Sequence, residues 1–124
     1  MAFRPSVRSS AAFVLAAGLA AGWFSASAQE STERSFSVSA RKYAFAPATI
    51  EVSQNDLVRI TLTAEDIPHS FTIDKYRIAK KAEPGHSVMF EFRADQAGRF
   101  PIYCNLSVDP RCREMHGELV VTAK

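Results

Sequence analysis

Residues 87–104, SVMFEFRADQAGRFPIYC, contain two strand-like segments separated by a turn. In the first segment Val88, Phe90 and Phe92 alternate with other residues, so a β-strand would place all three on one face. The Gln-Ala-Gly sequence at residues 96–98 is typical of a turn, and a second apolar segment follows from Gly98 to Cys104. This pattern predicts strands of an all-β domain.

The same pattern extends in both directions from this stretch. Strand-like segments are predicted at residues 36–40, 50–52, 58–62, 70–74 and 118–122. About seven short strands, with turn signals roughly every ten residues, predict an antiparallel β-sandwich. Residues 76–82 fit either a helical turn or a further irregular strand. Met89 is expected to fill space in the core, and His86, which follows Pro84-Gly85, is expected to be exposed.

The N-terminal residues have the features of a secretory signal peptide. Arg4 and Arg8 precede an apolar run from Ala11 to Phe24, and the Ala-Ser-Ala at residues 26–28 fits a cleavage site. The apolar run is short for a bilayer-spanning helix, which needs about 20 residues. We therefore expect a signal peptide at residues 1–28, a flexible tail at 29–35 and one domain at 36–124, with a periplasmic or secreted location and no stable membrane association after cleavage.

The charge of the predicted mature chain excludes some functions. Loss of Arg4 and Arg8 lowers the number of basic residues from 15 to 13, which equals the 13 acidic residues. A neutral chain lacks the basic excess of a nucleic-acid-binding protein. The sequence also has no nucleophile–base pair, no plausible pair of catalytic carboxylates and no glycine-rich phosphate loop. We therefore expect a protein that is not an enzyme and does not bind nucleic acid.

Potential metal ligands are concentrated near the C-terminus. Cys104, Cys112, Met115 and His116 fall within thirteen residues, and His69 lies upstream in Pro-His-Ser-Phe. Thiolate, thioether and imidazole groups are the ligands that copper prefers. An exported protein with two cysteines is, however, also expected to form a disulfide. These two interpretations compete.

Several segments, spread over residues 36–122, resemble the cupredoxins. Within that family they are most similar to exported single-domain relatives of the dinuclear-copper (CuA) domains of cytochrome oxidase subunit II and nitrous oxide reductase. The resemblance implies a Greek-key β-sandwich. It rests on the order and spacing of YAFAPATIEV at residues 43–52, PHSF at 68–71, EPG at 83–85, AGRFPIYC at 97–104 and MxGxLVV at 115–121.

The resemblance implies that His69 is the first ligand and that the others lie on the loop after Cys104. The dinuclear loop has the pattern Cys-x3-Cys-x3-His-x2-Met, whereas this chain has Val108 in place of the second cysteine and Cys112 in place of the histidine. Met115 is at the expected position. Two bridging thiolates are needed to hold two copper ions, and the second one is missing here. We therefore expect a site that holds one copper ion.

Three arrangements remain open at the level of sequence. In the first, His69, Cys104, Cys112 and Met115 surround one copper ion, a donor set suited to Cu(I). In the second, His116 replaces Cys112 or Met115. Neighbouring residues of an extended segment point to opposite faces, which argues against Met115 and His116 both binding. In the third, Cys104 and Cys112 form a disulfide in a metal-free interaction module.

The function expected from these residues is copper binding, used for one-electron transfer or for periplasmic copper handling. The expected partner is a redox protein or a copper donor or acceptor. Arg77, Lys80 and Lys81 form a basic cluster, as do Arg111 and Arg113 on either side of Cys112. Each cluster is either an ordinary solvated surface or a docking patch for an acidic redox partner.

Overall fold

The computed structural model describes residues 32–124, which form nine β-strands and two short 3₁₀ turns. Residues 1–31, which include the predicted signal peptide and most of the predicted tail, lie outside the described residues. The strands are β1 Glu33–Arg41, β2 Ala44–Ala46, β3 Thr49–Ser53, β4 Leu57–Ala64, β5 His69–Ile73, β6 Ile78–Ala82, β7 Ser87–Arg93, β8 Gly98–Tyr103 and β9 His116–Thr122. The turns are Asp74–Tyr76 and Pro110–Glu114.

The strands form two sheets that pack as a sandwich, which confirms the predicted all-β, cupredoxin-like fold. One sheet has the strand order β2-β1-β4-β7 and the other has the order β3-β9-β8-β5-β6. The pairings of β1 with β4 and of β3 with β9 are parallel, while the other strand pairs are antiparallel. The sheets are therefore mixed and not purely antiparallel, because the chain crosses between them at several of its connections.

Alternation of apolar and polar residues determines which side chains face the core. In β4 the residues at 58, 60, 62 and 64 are buried, and those between them are partly exposed. Phe71 of β5 joins the two sheets, with its ring centroid 5.9 Å from that of Phe45 and 5.5 Å from that of Phe90. The core therefore continues from one sheet to the other through aromatic contacts.

The structure corrects two expectations. β1 begins at Glu33 and pairs in register with β4 from Leu57 onward, so residues 33–35 belong to the sheet and not to a flexible tail. Met89 is 65% exposed and does not fill the core. Its neighbour Phe90 faces inward, and the two-residue period of the strand therefore turns Met89 toward solvent.

Other local expectations agree with the structure. Of the two elements considered for residues 76–82, the strand is present as β6, and a 3₁₀ turn at Asp74–Tyr76 precedes it. His86 is exposed, as expected for a residue after a Pro-Gly turn. Among residues 32–124, no helix is long and apolar enough to cross a membrane.

Candidate metal centre

His69 is the first residue of β5 and is almost completely buried, with 1% of its surface exposed. Pro68 precedes it and favours an extended backbone at the entry to the strand. One ring nitrogen, Nε2, lies 2.7 Å from Oδ1 of Asp66. The other, Nδ1, is buried and has no hydrogen-bond partner among the described residues. A buried polar atom without a partner is costly, so this nitrogen is a candidate ligand.

Asp66 determines which nitrogen of His69 carries the proton. Its carboxylate is partly desolvated, which opposes ionisation. The backbone N–H of Lys42, the ring of His69 and the backbone N–H of Ile67 together outweigh this effect and lower the pKa of Asp66 to about 2. An ionised carboxylate only accepts hydrogen bonds. Nε2–H of His69 is therefore the donor, which leaves Nδ1 as the ring nitrogen that could hold a metal.

Cys104 and Cys112 are joined by a disulfide, with their Cα atoms 5.2 Å apart. Both residues are buried, with 0% and 3% of their surface exposed. The backbone N–H of Ser70 lies 3.4 Å from the Cys104 sulfur, and the backbone N–H of Leu106 lies 3.2 Å from the Cys112 sulfur. The structure therefore has the cysteine pairing of the third arrangement. The contact with Ser70 places Cys104 next to the residue that follows His69.

Hydrogen bonds also attach the start of the loop to β5. The Ser70 hydroxyl donates to Oδ1 of Asn105 at 2.7 Å, and the backbone N–H of Asn105 donates to the same hydroxyl at 2.7 Å. The entry to the loop after β8 is thus held against the strand that carries His69, independently of the disulfide.

Contacts with Tyr43 hold the middle of the loop. The Tyr43 hydroxyl donates to Oδ2 of Asp109 at 3.0 Å, and this bond raises the pKa of Tyr43. The guanidinium carbon of Arg111 lies 4.2 Å from the centroid of the Tyr43 ring. Asp109 also caps the 110–114 turn, because its side chain accepts from the backbone N–H of Arg111 at 2.9 Å. The loop is therefore fixed at its entry and in its middle by contacts that do not involve sulfur.

Met115 and His116 lie in different environments. Met115 is completely buried, whereas His116 is exposed at the start of β9. Tyr103 pairs with His116 in the β8–β9 ladder. The residues just beyond this pair, Cys104 and Met115, therefore lie at one end of the sandwich. Among residues 32–124, no group of three or more His, Cys, Asp or Glu side chains is arranged to hold a metal ion, and both cysteine sulfurs of this region are engaged in the disulfide.

Asp66 was not singled out from the sequence. The available signal is the spacing Asp-x-x-His at residues 66–69, a carboxylate three positions before the candidate ligand. Carboxylates often orient metal-binding histidines in this way. The spacing alone does not give the contact, because the bend that brings the two side chains together depends on hydrogen bonds that the Asp66 carboxylate accepts from the backbone N–H groups of Lys42 and Ile67.

Comparison with known proteins identifies the domain type. The family model of the cupredoxin-like domain matches residues 14–121. A search of curated protein sequences found no match. Solved structures share the fold at low sequence identity. The periplasmic domain of cytochrome oxidase subunit II from Bradyrhizobium japonicum is 15% identical, with a TM-score of 0.64, and the match covers 73% of this chain and 84% of that chain.

Two further structures are similar to the chain. Auracyanin A, a blue copper protein from Chloroflexus aurantiacus, is 16% identical with a TM-score of 0.61, and the match covers 73% of this chain and 99% of that chain. A mixed disulfide between a thioredoxin-like protein and subunit II of cytochrome c oxidase contains a chain that is 16% identical, with a TM-score of 0.60. That match covers 72% of this chain and 81% of that chain. At these identities the likeness establishes the fold.

Proposed function

The chain belongs to the cupredoxin-like domain family, and on this basis we propose that it is an exported, non-enzymatic copper-binding protein with a mononuclear site. The proposed ligands are His69, Cys104, Cys112 and Met115. Copper bound there supplies one-electron redox chemistry or is held for transfer to another protein. The observation that carries the proposal is the buried Nδ1 of His69, which has no hydrogen-bond partner among residues 32–124 and belongs to the strand that contacts Cys104 through Ser70.

The donor set fits copper better than other common metals. One imidazole nitrogen, two thiolates and one thioether form a soft set that favours Cu(I). Buried Met115 supports the first arrangement over the second, because the alternative ligand His116 is exposed. Asp66 is the residue that orients His69 toward this role.

The site requires the cysteines in their reduced form. Opening the disulfide needs two electrons and two protons, and a dithiol protein supplies them when its own thiols become a disulfide. The subunit II structure trapped as a mixed disulfide with a thioredoxin-like protein supports a partner of this class. We propose that such a reductant acts before copper binds.

The location proposed for this chemistry is the periplasm. A disulfide is expected to persist in an oxidising compartment, and the similar domain of Bradyrhizobium japonicum subunit II is periplasmic. N-terminal sequencing of the exported protein is expected to begin at Gln29, after the predicted cleavage site.

Anaerobic titration of the reduced protein with Cu(I), in competition with a colorimetric chelator, tests the copper site. We expect one tightly bound ion per chain, with strong loss of affinity in His69→Ala and little change in the matched control His86→Ala. Equal affinity in the two variants would contradict the assignment of His69. Reversible voltammetry of the loaded protein would favour electron transfer, whereas transfer of Cu(I) to an acceptor without redox cycling would favour copper handling.

The disulfide itself favours a second candidate, a metal-free interaction module. In that case the bond between Cys104 and Cys112 is structural and persists in the functional state. Counting free thiols by mass spectrometry after denaturation without reductant separates the two candidates. Two free thiols in protein isolated from the periplasm would exclude the structural disulfide, whereas a disulfide that resists a thioredoxin-like reductant would exclude the copper site.

A further inference from the structure

A groove with a volume of about 610 Å³ opens at the side of the sandwich, between β6 and β7. Its apolar part includes Tyr76 and Phe92, whose ring centroids are 5.2 Å apart, and Phe90. Met89 lies at the rim and is 65% exposed. None of the proposed copper ligands lines the groove. The groove is therefore a partly apolar surface that is separate from the proposed copper site.

Both strands beside the groove have a free edge. β6 is the last strand of the five-stranded sheet and β7 is the last strand of the four-stranded sheet. Within the described part of the chain, no further strand pairs with either outer edge. The unpaired N–H and C=O groups of such an edge are a template for an added strand.

The charges near the groove distinguish the two edges. Lys75, Arg77 and Lys80 are exposed, and none of them forms an ion pair among residues 32–124. On β7, by contrast, Glu91 is already paired with Arg59, at 2.6 Å. Lys81 of β6 is likewise paired, with Glu83 at 3.0 Å. The unneutralised cations that line the groove are therefore Arg77 and Lys80.

Lys80 is directed toward the groove by the register of the sheet. It is the cross-strand partner of Phe71, whose ring packs on Phe90 in the core. Cross-strand partners share a face, and Lys80 accordingly lines the groove.

We propose that β6 and the adjoining groove bind an extended, acidic segment of a partner protein. The segment adds as a strand to the free edge of β6 and inserts an apolar side chain beside Phe90 and Phe92. Its carboxylates pair with Lys75, Arg77 and Lys80. The same cations disfavour pairing of β6 with β6 of a second copy, because like charges would meet. The occupant is therefore a different protein, and the proposal does not depend on copper binding.

NMR titration of the ¹⁵N-labelled protein tests this site. The probe is the peptide Glu-Val-Glu-Phe-Glu-Val-Glu. One control peptide has lysine in place of each glutamate, which reverses the charge. The other keeps the glutamates but is N-methylated at alternate residues, which removes N–H groups needed for strand pairing. We expect the acidic peptide to shift the amide signals of β6 and the groove, with an effect that weakens as salt is added. The lysine peptide and the N-methylated peptide are expected to cause no such shift. Equal binding of either control, or shifts confined to the loop 105–115, would overturn the proposal.

Charge reversal at the groove provides the matched variants. Arg77→Glu combined with Lys80→Glu should weaken binding of the acidic peptide roughly tenfold, since each exposed ion pair contributes up to about 1 kcal/mol. Arg113→Glu, an exposed cation of the 110–114 turn, should leave binding unchanged. A double variant that remains folded by circular dichroism and binds as tightly as the wild type would refute the proposal. Broadening of β6 signals with protein concentration alone would indicate a second copy as the occupant and would also refute it.

Discussion

Reduction of the disulfide between Cys104 and Cys112 is expected to lower the free energy of unfolding by about 2.5 kcal/mol. Cys112 lies eight positions after Cys104 in the sequence. This loop length sets the conformational entropy that the bond removes from the unfolded chain. For a domain of this size, the loss corresponds to a fall in melting temperature of about 10–20 °C. Urea unfolding of the wild type with and without reductant measures this change in the free energy of unfolding without any substitution.

The double variant Cys104→Ser with Cys112→Ser is the control for this experiment, because its stability should not respond to reductant. The reduced wild type should remain folded, since Ser70–Asn105 and Tyr43–Asp109 hold the loop without sulfur. Cu(I) should then stabilise the reduced wild type and not the double variant, because a ligand that binds only the folded state raises the free energy of unfolding. A reduced protein as stable as the oxidised one would refute the loop-closure explanation.

Four further outcomes are expected. Asp66→Asn should weaken Cu(I) binding about 10–100-fold in chelator competition, whereas Glu65→Gln should not. The carboxylate of Asp66 is 32% exposed, and its pKa is lowered to about 2. Above about pH 4, the ionised carboxylate should therefore make the wild type about 1 kcal/mol more stable than Asp66→Asn. This difference should vanish in acid unfolding curves as the pH falls through about 2. Gly117→Ala should cost about 1–3 kcal/mol in urea unfolding, because its Cβ would lie 2.5 Å from the Ala48 carbonyl oxygen. Phe90→Ala should cost about 3–5 kcal/mol, but Met89→Ala less than about 0.5 kcal/mol.

Residue alternation made most of the strands predictable. The pattern in β4 and β7 separates buried from exposed positions without any tertiary information. The prediction that Met89 fills the core was wrong. It followed the apolar character of Met89, whereas the alternation in β7 places Met89 on the solvent face, opposite Phe90. The parallel pairings of β1 with β4 and of β3 with β9 were not predictable in this way, because they depend on how the connections cross between the sheets.

The candidate site was only partly predictable, for chemical reasons. The resemblance to the cupredoxins implied that Cys104 and Met115 share one site, and the two residues lie just beyond the Tyr103–His116 pair of β8 and β9. The role of Asp66 depends on a bend held by backbone hydrogen bonds, and a sequence pattern does not reveal such a bend. The oxidation state of two cysteines is set by the surrounding redox partners as much as by the chain. The same two residues were therefore consistent with either a metal site or a disulfide.

The disulfide and the proposed copper site exclude each other, yet both use the same loop anchors. The disulfide acts mainly on the unfolded chain, so opening it leaves the native contacts at Asn105 and Tyr43 in place. The hydrogen bond between the His69 ring and Asp66 does not involve sulfur, so opening the disulfide leaves it in place. Reduction would free two thiols, one of them on Cys104, whose sulfur lies 3.4 Å from the backbone nitrogen of Ser70, the residue after His69. The proposed copper site therefore requires a two-electron reduction before it can form, on a loop whose other anchors are already in place.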